Sequence, residues 1–139
     1  MGAQSLKFDL IVIGAGTAGS TAAKTAANAG LKVALLEKRQ EIGSPVRCAG
    51  GVSRSGLIKL ITPDPSFIAA EVKGTRVYAP DGFSIMMSED QAFDEVGYIL
   101  ERNIFDRYLA IDAAQAGTEV FIKTRAIGLL RQDRALCRN

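Results

Sequence analysis

The sequence predicts an α/β fold that begins with a parallel βαβ unit. Two apolar runs, residues 8–13 and 32–36, have the length and the β-branched or leucine-rich composition of short strands, and the first suits a strand buried on both faces. Between them, residues 17–29 are rich in alanine and threonine, and Gly30 stands where a helix end favours a left-handed residue. A right-handed crossover makes the two strands parallel neighbours.

The middle of the chain predicts an irregular segment followed by an inserted antiparallel β-hairpin. Residues 38–56 are rich in glycine and polar residues, which is typical of a long loop, and long loops are often functional. Residues 71–79 and 83–88 have the pattern of two strands. The residues between them, 80–82, are Pro-Asp-Gly and suit a tight turn.

The last part of the chain predicts a helix and a returning strand. Asn103 is placed to cap a helix over residues 104–116, and Gly117 ends it. The expected apolar face consists of Ile104, Phe105, Tyr108, Leu109 and Ile111. Residues 119–123 then form another strand, which completes an α/β arrangement.

Composition narrows the classes of function. Seventeen Lys and Arg stand against fifteen Asp and Glu, and the charge is spread along the chain, so nucleic acid is not an expected partner. There is no histidine, the side chain most used for proton transfer and metal binding. We therefore expect no metal, and chemistry borrowed from a cofactor.

Cysteine usage and hydropathy indicate a compartment. Cys48 and Cys137 lie far apart and form neither a zinc-ligand nor a CxxC spacing, which favours a reducing cytosol. The longest uncharged stretch, residues 10–23, is too short to cross a bilayer. A cytoplasmic location is expected, and peripheral contact with a membrane surface stays open.

The turn from residue 14 to residue 19 reads G-A-G-T-A-G, the G-x-G-x-x-G pattern, where the first strand meets the helix. In this position Gly14 permits the tight turn, Gly16 lets the backbone approach a pyrophosphate, and Gly19 lets the helix pack closely on the strand. Free N–H groups at the helix start favour an anion. The pattern alone is a weak signal, and its strand-turn-helix context indicates a Rossmann-type dinucleotide site.

Glu37 follows the second strand, about twenty residues after the glycine turn, where a carboxylate accepts both hydroxyls of an adenosine ribose. The alternative is a solvated Glu at the end of a strand. The same carboxylate would repel a 2′-phosphate, so NADP is a poor fit despite the neighbouring Lys38 and Arg39. FAD or NAD remains from the residues alone.

Two further stretches resemble a known family. Residues 37–51 read E-K-R-Q-E-I-G-S-P-V-R-C-A-G-G, and residues 95–106 read E-V-G-Y-I-L-E-R-N-I-F-D. Together with the glycine turn they resemble the archaeal geranylgeranyl reductases, also called digeranylgeranylglycerophospholipid reductases, which are FAD enzymes of isoprenoid membrane-lipid synthesis. The resemblance implies that the cofactor is FAD.

The resemblance also implies FAD contacts beyond Gly14, Gly16, Gly19 and Glu37. These positions are Ala18, Cys48, Ala49, Gly51, Arg102 and Ala126. The alternative for Cys48 is a small buried hydrophobic residue. The alternative for Arg102 is a surface pair with Asp106 at i,i+4.

By the same resemblance, the chain is interpreted as a single truncated FAD-binding domain, residues 1–139, that is, a partial FAD/NAD(P)-binding domain. Its expected parts are a dinucleotide-binding βαβ unit at 1–40, a flavin-proximal loop region at 41–70, a β-hairpin at 71–100, and a helix and strand returning to the FAD domain at 101–127. Members of the family are longer than this chain, which predicts a fragment.

The activity that the resemblance implies is FAD-dependent reduction of the carbon–carbon double bonds of geranylgeranyl chains in archaeal membrane-lipid precursors. The expected partners are a geranylgeranylated glycerophospholipid, or another isoprenoid substrate, and an unidentified electron donor. No catalytic residue is assigned. Two alternatives stay open: an FAD-dependent monooxygenase of the aromatic hydroxylase type, and a noncatalytic fragment.

Overall fold

A computed structural model describes residues 6–88 and 97–129 of the chain. Its strands are β1 (Leu10–Ile13), β2 (Val33–Leu36), β3 (Gly51–Ser53), β4 (Ile68–Val72), β5 (Gly74–Tyr78), β6 (Ser84–Ser88), β7 (Gly97–Leu100) and β8 (Glu119–Phe121). Its helices are α1 (Thr17–Asn28), α2 (Arg54–Leu60) and α3 (Arg102–Gln115). The predicted α/β class is confirmed.

The first sheet is parallel and has the order β1-β2-β8. With α1 it forms the predicted βαβ unit, and Gly30, with φ +86°, follows the helix end as expected. The expectation that the first strand is buried on both faces is wrong: the side chains of Ile11 and Ile13 are 55% and 64% exposed. The reason is topological, because among the described strands β2 occupies the centre of the sheet and β1 its edge.

The second sheet is antiparallel and has the order β3-β7-β4. The prediction of an uninterrupted loop over residues 38–56 is wrong, because that segment contains β3 and the start of α2. The three residues of β3 gain their partner only through the fold, where Gly51 pairs with Ile99. Helix α2 begins directly after Ser53, whose hydroxyl accepts a hydrogen bond from the Gly56 N–H at 3.1 Å.

The predicted hairpin is present as the antiparallel pair β5-β6. The first predicted strand, residues 71–79, is divided at Lys73, because Glu71 and Val72 pair with β7 whereas β5 pairs with β6. Residues 89–96 of the expected hairpin region lie outside the described residues, as does the start of the family-like segment 95–106. Cys137 also lies outside them.

Helix α3 begins two residues earlier than predicted, and Glu101 rather than Asn103 is its N-cap residue. Its buried face follows a spacing of four and contains Phe105, Asp106, Leu109, Ala110 and Ala113. The expected face was therefore wrong at three of its five residues, because Ile104, Tyr108 and Ile111 are exposed. The returning strand is shorter than predicted and ends at Phe121, since Lys123 adopts a positive φ of 53°.

Two clusters of buried side chains hold the elements together. We call the first the small-residue core; it consists of Ala15, Ala23, Val33, Leu35 and Ala113. We call the second the aromatic core; it consists of Leu57, Phe67, Tyr98, Leu100, Phe105 and Leu109. Helix α3 contributes to both. In the part of the chain that the structure describes, no helix has the length and hydropathy needed to span a membrane.

Candidate dinucleotide-binding site

The glycine turn joins β1 to α1 with the geometry that its sequence suggests. Gly14 has φ +100°, which favours glycine, and its N–H donates to the carbonyl of Leu36 at 2.7 Å. A Cβ on Gly19 would meet the carbonyl oxygen of Gly14, so any larger residue would push the helix away from the turn. The turn is thereby fixed between β1, β2 and α1.

The start of α1 faces open space. Gly16 is the N-cap residue, has an extended backbone and provides no side-chain cap for the first N–H groups of the helix. A Cβ on Gly16 would meet no atom within 4 Å. The unpaired N–H groups and the positive end of the helix dipole favour an anion such as a pyrophosphate at this position.

Glu37 lies at the end of β2 and is held by two backbone donors. Its Oε2 accepts a hydrogen bond from the Ala15 N–H at 3.1 Å, and its Oε1 accepts one from the Arg39 N–H at 2.9 Å. A carboxylate offers about four acceptor positions, so about two remain for further donors such as ribose hydroxyls. The carboxylate is therefore oriented before any ligand binds.

Two cavities meet at Glu37. The first has a volume of about 340 Å³ and is lined by Gly14, Leu36, Glu37, Lys38, Thr124 and Ala126, among others. The second has a volume of about 180 Å³ and is lined by Ala15, Gly16, Glu37, Cys48, Arg102 and Asp106, among others. Glu37 thus separates a cavity beside β8 from a cavity beside the starts of α1 and α3.

Arg102, the first residue of α3, is held in the wall of the smaller cavity. Its Nη2 donates to both carboxylate oxygens of Asp106, at 2.9 and 3.0 Å, and to Oγ1 of Thr17 at 3.1 Å. The pair with Asp106 that the sequence suggested is present, but it is not a surface pair, because the two side chains are 25% and 11% exposed. The Nε of Arg102 is buried and has no hydrogen-bond partner among the described residues.

The other predicted contact residues divide into two groups. Cys48 is exposed and lines the smaller cavity, so the alternative of a small buried hydrophobic residue is wrong. Ala126 lines the larger cavity together with Glu37. Ala18 on α1, Ala49 in the loop before β3, and Gly51 in β3 are exposed, and none of them lines either cavity.

Sequence reasoning missed two residues of this site, Thr17 and Thr124, and it named Asp106 only as a surface partner of Arg102. Thr17 and Asp106 hold Arg102, and Thr124 reaches the larger cavity because its N–H donates to the carbonyl of Glu37 at 2.9 Å. The spacing of Arg102 and Asp106 was a usable signal for a pair. The positions of Thr17 and Thr124 depend on contacts between distant segments, and no local pattern reveals them.

Comparisons with known proteins point to the same kind of site. Residues 9–72 match the family described as FAD binding domain. A digeranylgeranylglycerophospholipid reductase from Methanothrix thermoacetophila is 64% identical over 92% of this chain and 33% of its own length. One from Methanosarcina acetivorans is 58% identical over 91% of this chain and 31% of its own length.

Solved structures share the fold. A geranylgeranyl bacteriochlorophyll reductase-like protein from Thermoplasma acidophilum is 48% identical and matches 91% of this chain and 32% of its own, with a TM-score of 0.84. The FAD-dependent myxobacterial chondrochloren halogenase is 22% identical over 91% of this chain and 31% of its own, with a TM-score of 0.70. At that identity the halogenase shows the fold alone.

These findings confirm the resemblance that the sequence predicted. The chain is similar to digeranylgeranylglycerophospholipid reductases over about nine tenths of its length, it spans about a third of theirs, and residues 9–72 match an FAD-binding domain family. The residues present fit FAD, because the open space before Gly16 offers an anion room, and Nη1 of Arg102, which makes none of the contacts with Asp106 and Thr17, offers it a donor.

Proposed function

We propose that this chain, which matches digeranylgeranylglycerophospholipid reductases over nine tenths of its length, supplies the ADP-binding part of the FAD site of such a reductase. The activity of the whole protein would be FAD-dependent reduction of the carbon–carbon double bonds of geranylgeranyl chains in membrane-lipid precursors. The observation that carries the proposal is the position of Glu37, fixed by two backbone N–H groups between two cavities beside the glycine turn.

Each part of the site has a proposed task. Glu37 accepts the adenosine-ribose hydroxyls, while the larger cavity with Ala126 receives the adenine side. Gly14 and Gly16 let the pyrophosphate approach the start of α1. Arg102 donates to the phosphates or to polar atoms near them. Bound FAD supplies the hydride chemistry, and this chain's own residues bind and orient it.

The remaining predicted contacts belong to the flavin side of the site. The loop with Cys48 and Ala49 leads from the smaller cavity toward β3, which begins at Gly51. We assign these three exposed residues to FAD contacts along the flavin, and Ala18, in the first turn of α1, to a backbone contact at the glycine turn. We also retain the interpretation of residues 1–139 as one truncated FAD-binding domain with the four parts given above, in which the flavin-proximal region 41–70 includes β3 and α2 rather than being a continuous loop.

The proposal extends to partners. The substrate is a geranylgeranylated glycerophospholipid, and the names of the relatives support this class. Because such a substrate resides in a membrane, we propose that the protein is cytoplasmic and contacts the membrane surface peripherally. Reduction of a double bond consumes two electrons and two protons, so an electron donor is needed, and its class is open.

Flavin retention by the chain tests the binding part of the proposal. Purified chain is mixed with FAD, passed through a gel-filtration column, and examined for the visible absorption of bound flavin. We expect retained flavin, and competition by ADP but only weakly by 2′-phospho-ADP, because the Glu37 carboxylate repels a 2′-phosphate. Absence of retained flavin in the chain would favour the noncatalytic fragment.

Substitution of Glu37 sharpens this test. We expect Glu37→Gln to weaken FAD binding about tenfold, because the ribose loses a charged acceptor. The variant should also reduce the preference for ADP over 2′-phospho-ADP. The matched control is Glu71→Gln, since Glu71 is exposed in β4 and distant from the glycine turn in sequence. Equal affinities in the wild type and the Glu37 variant would contradict the assigned role.

Activity requires the rest of a reductase. A chimera is made in which this chain replaces the matching third of the Methanothrix thermoacetophila reductase. Dithionite serves as a chemical electron donor, and saturation of geranylgeranyl lipid is followed by mass spectrometry. We expect reduction of the lipid. A flavin-loaded chimera that leaves the lipid unchanged but, in air and with NADH in place of dithionite, converts a phenolic substrate to its hydroxylated product would favour the monooxygenase alternative.

A further inference from the structure

We propose that Asp106 and Thr17 are positioning residues that hold Arg102 in the orientation in which it binds the diphosphate of FAD. This inference rests on the proposed function, because it presupposes that FAD occupies the site. Arg102 itself belongs to the predicted contacts, whereas Asp106 and Thr17 gain their role only from the arrangement of the folded chain.

The three side chains form a closed set of contacts. Asp106 receives Arg102 Nη2 on both carboxylate oxygens, at 2.9 and 3.0 Å, and receives the Thr17 hydroxyl on Oδ1 at 2.9 Å. Thr17 in turn accepts from Arg102 Nη2 at 3.1 Å. Thr17 begins α1 and Arg102 begins α3, so the set joins the starts of the two helices beside the smaller cavity.

The contacts leave part of the guanidinium available. All of them use Nη2, whereas arginine carries five N–H donors. The buried Nε has no partner among residues 6–88 and 97–129, and a buried donor without a partner is unfavourable. Nη1 takes part in none of these contacts and, unlike Nε, is not buried, so its two N–H donors are available to an anionic oxygen in the adjoining cavity through charge-assisted hydrogen bonds.

The negative charge of Asp106 does not prevent Arg102 from binding a diphosphate. Both carboxylate oxygens of Asp106 accept hydrogen bonds from Arg102 or Thr17, and Asp106 as a whole is only 8% exposed. Its acceptor capacity is therefore directed at the arginine rather than at the cavity. Fixing a long side chain in advance also lowers the entropy that ligand binding would otherwise cost.

A purely structural clamp between α1 and α3 is the competing explanation, and the chain provides a matched control for it. Lys24 on α1 and Asp112 on α3 form a salt bridge at 2.6 Å, with side chains 32% and 25% exposed. This pair joins the same two helices, but neither residue lines the two cavities at Glu37. Asp112→Asn therefore removes an interhelical ion pair without touching the proposed FAD site.

The test is a double-mutant cycle measured by FAD titration, in the chain and in the chimera described above. Asp106→Asn should weaken FAD binding about tenfold, and the same change in an Arg102→Ala background should cause no further loss. Asp112→Asn should lower the melting temperature of the FAD-free protein without changing FAD affinity. Thr17→Val should weaken binding, and Thr17→Ser should restore it, because serine retains the hydroxyl.

Each contrary result has a distinct meaning. If Asp106→Asn weakens binding equally with and without Arg102, or if Asp112→Asn weakens it as much, Asp106 acts on overall structure and the inference is overturned. If the wild type binds FAD and Arg102→Ala binds it equally well, the inference fails while the proposed function stands. If neither the chain nor the chimera binds FAD, the proposed function fails and the inference fails with it.

Discussion

The two cores of this molecule differ in side-chain size and in what they support. The small-residue core contains three alanines and no aromatic side chain, and it lies between the parallel sheet and the helices α1 and α3. The aromatic core contains three aromatic rings and three leucines, and it fills the space between α2, α3 and the antiparallel sheet. One core lets backbones approach closely, whereas the other separates elements with large side chains.

Helix α3 connects these two kinds of packing. Ala113 near its end lies in the small-residue core, while Phe105 near its start and Leu109 at its middle lie in the aromatic core. Arg102 therefore stands at the end of α3 that the aromatic core supports, yet it contacts Thr17 of the glycine turn. The candidate site therefore depends on both cores, and substitutions made in one core at a time separate their contributions.

Removing the central ring of the aromatic core should have the largest effect on stability. Phe67 is fully buried and packs edge to face on Phe105, with ring centroids 5.2 Å apart. We expect Phe67→Ala to lower the free energy of unfolding by about 4 kcal/mol, because it leaves a cavity in a packed core. Urea unfolding followed by circular dichroism measures the loss.

Phe83 provides the control for this substitution. It lies between β5 and β6 and is 66% exposed, so Phe83→Ala should change the free energy of unfolding by less than about 0.5 kcal/mol. Similar losses at Phe67 and Phe83 would contradict the description of the aromatic core.

Enlarging the glycine turn should have the next largest effect. The added Cβ of Gly19→Ala would collide with the Gly14 carbonyl, and we expect the free energy of unfolding to fall by about 3 kcal/mol. Thermal and urea unfolding of the FAD-free chain measure it. A stability unchanged by Gly19→Ala would show that the turn and α1 have room to move apart.

Gly16 offers the complementary test within the same turn. A Cβ there meets no protein atom and the backbone φ is −85°, so Gly16→Ala should leave the stability of the FAD-free chain within about 0.5 kcal/mol. FAD affinity should fall about tenfold or more, because the methyl group occupies the space of the pyrophosphate. Loss of stability without loss of FAD affinity would reverse the roles assigned to Gly16 and Gly19.

The sequence predicted the parallel part of the fold better than the antiparallel part. The glycine turn and Glu37 lie within one βαβ unit, where local spacing determines which residues meet. By contrast, β3 is a three-residue strand that exists through pairing of Gly51 with Ile99, far along the chain. Helix α2 carried a usable signal, since Ser53 precedes the apolar Leu57 and caps the helix through its hydroxyl.

The same distinction holds within the candidate site. Arg102 and Ala126 were proposed through family resemblance, and the fold places both beside Glu37. The partnership of Arg102 with Thr17 joins residues 85 positions apart, so no local rule could predict it. Contacts between distant segments therefore orient Arg102, and the glycine motif alone does not predict that orientation.

The smallest effect concerns a single buried hydroxyl beside the small-residue core. Ser20 is fully buried, and its Oγ has no hydrogen-bond partner within the described part of the chain. We expect Ser20→Ala to raise the free energy of unfolding by about 1 kcal/mol, because it removes an unpaired polar group. The matched variant is Thr118→Val, since the buried Thr118 hydroxyl donates to the Ala23 carbonyl at 3.2 Å and its removal should lower stability by about 1 kcal/mol. If urea unfolding shows a gain of stability for Ser20→Ala and a loss for Thr118→Val, this core tolerates polar groups only when they are paired. A loss of stability for Ser20→Ala would instead reveal a partner for the Ser20 hydroxyl.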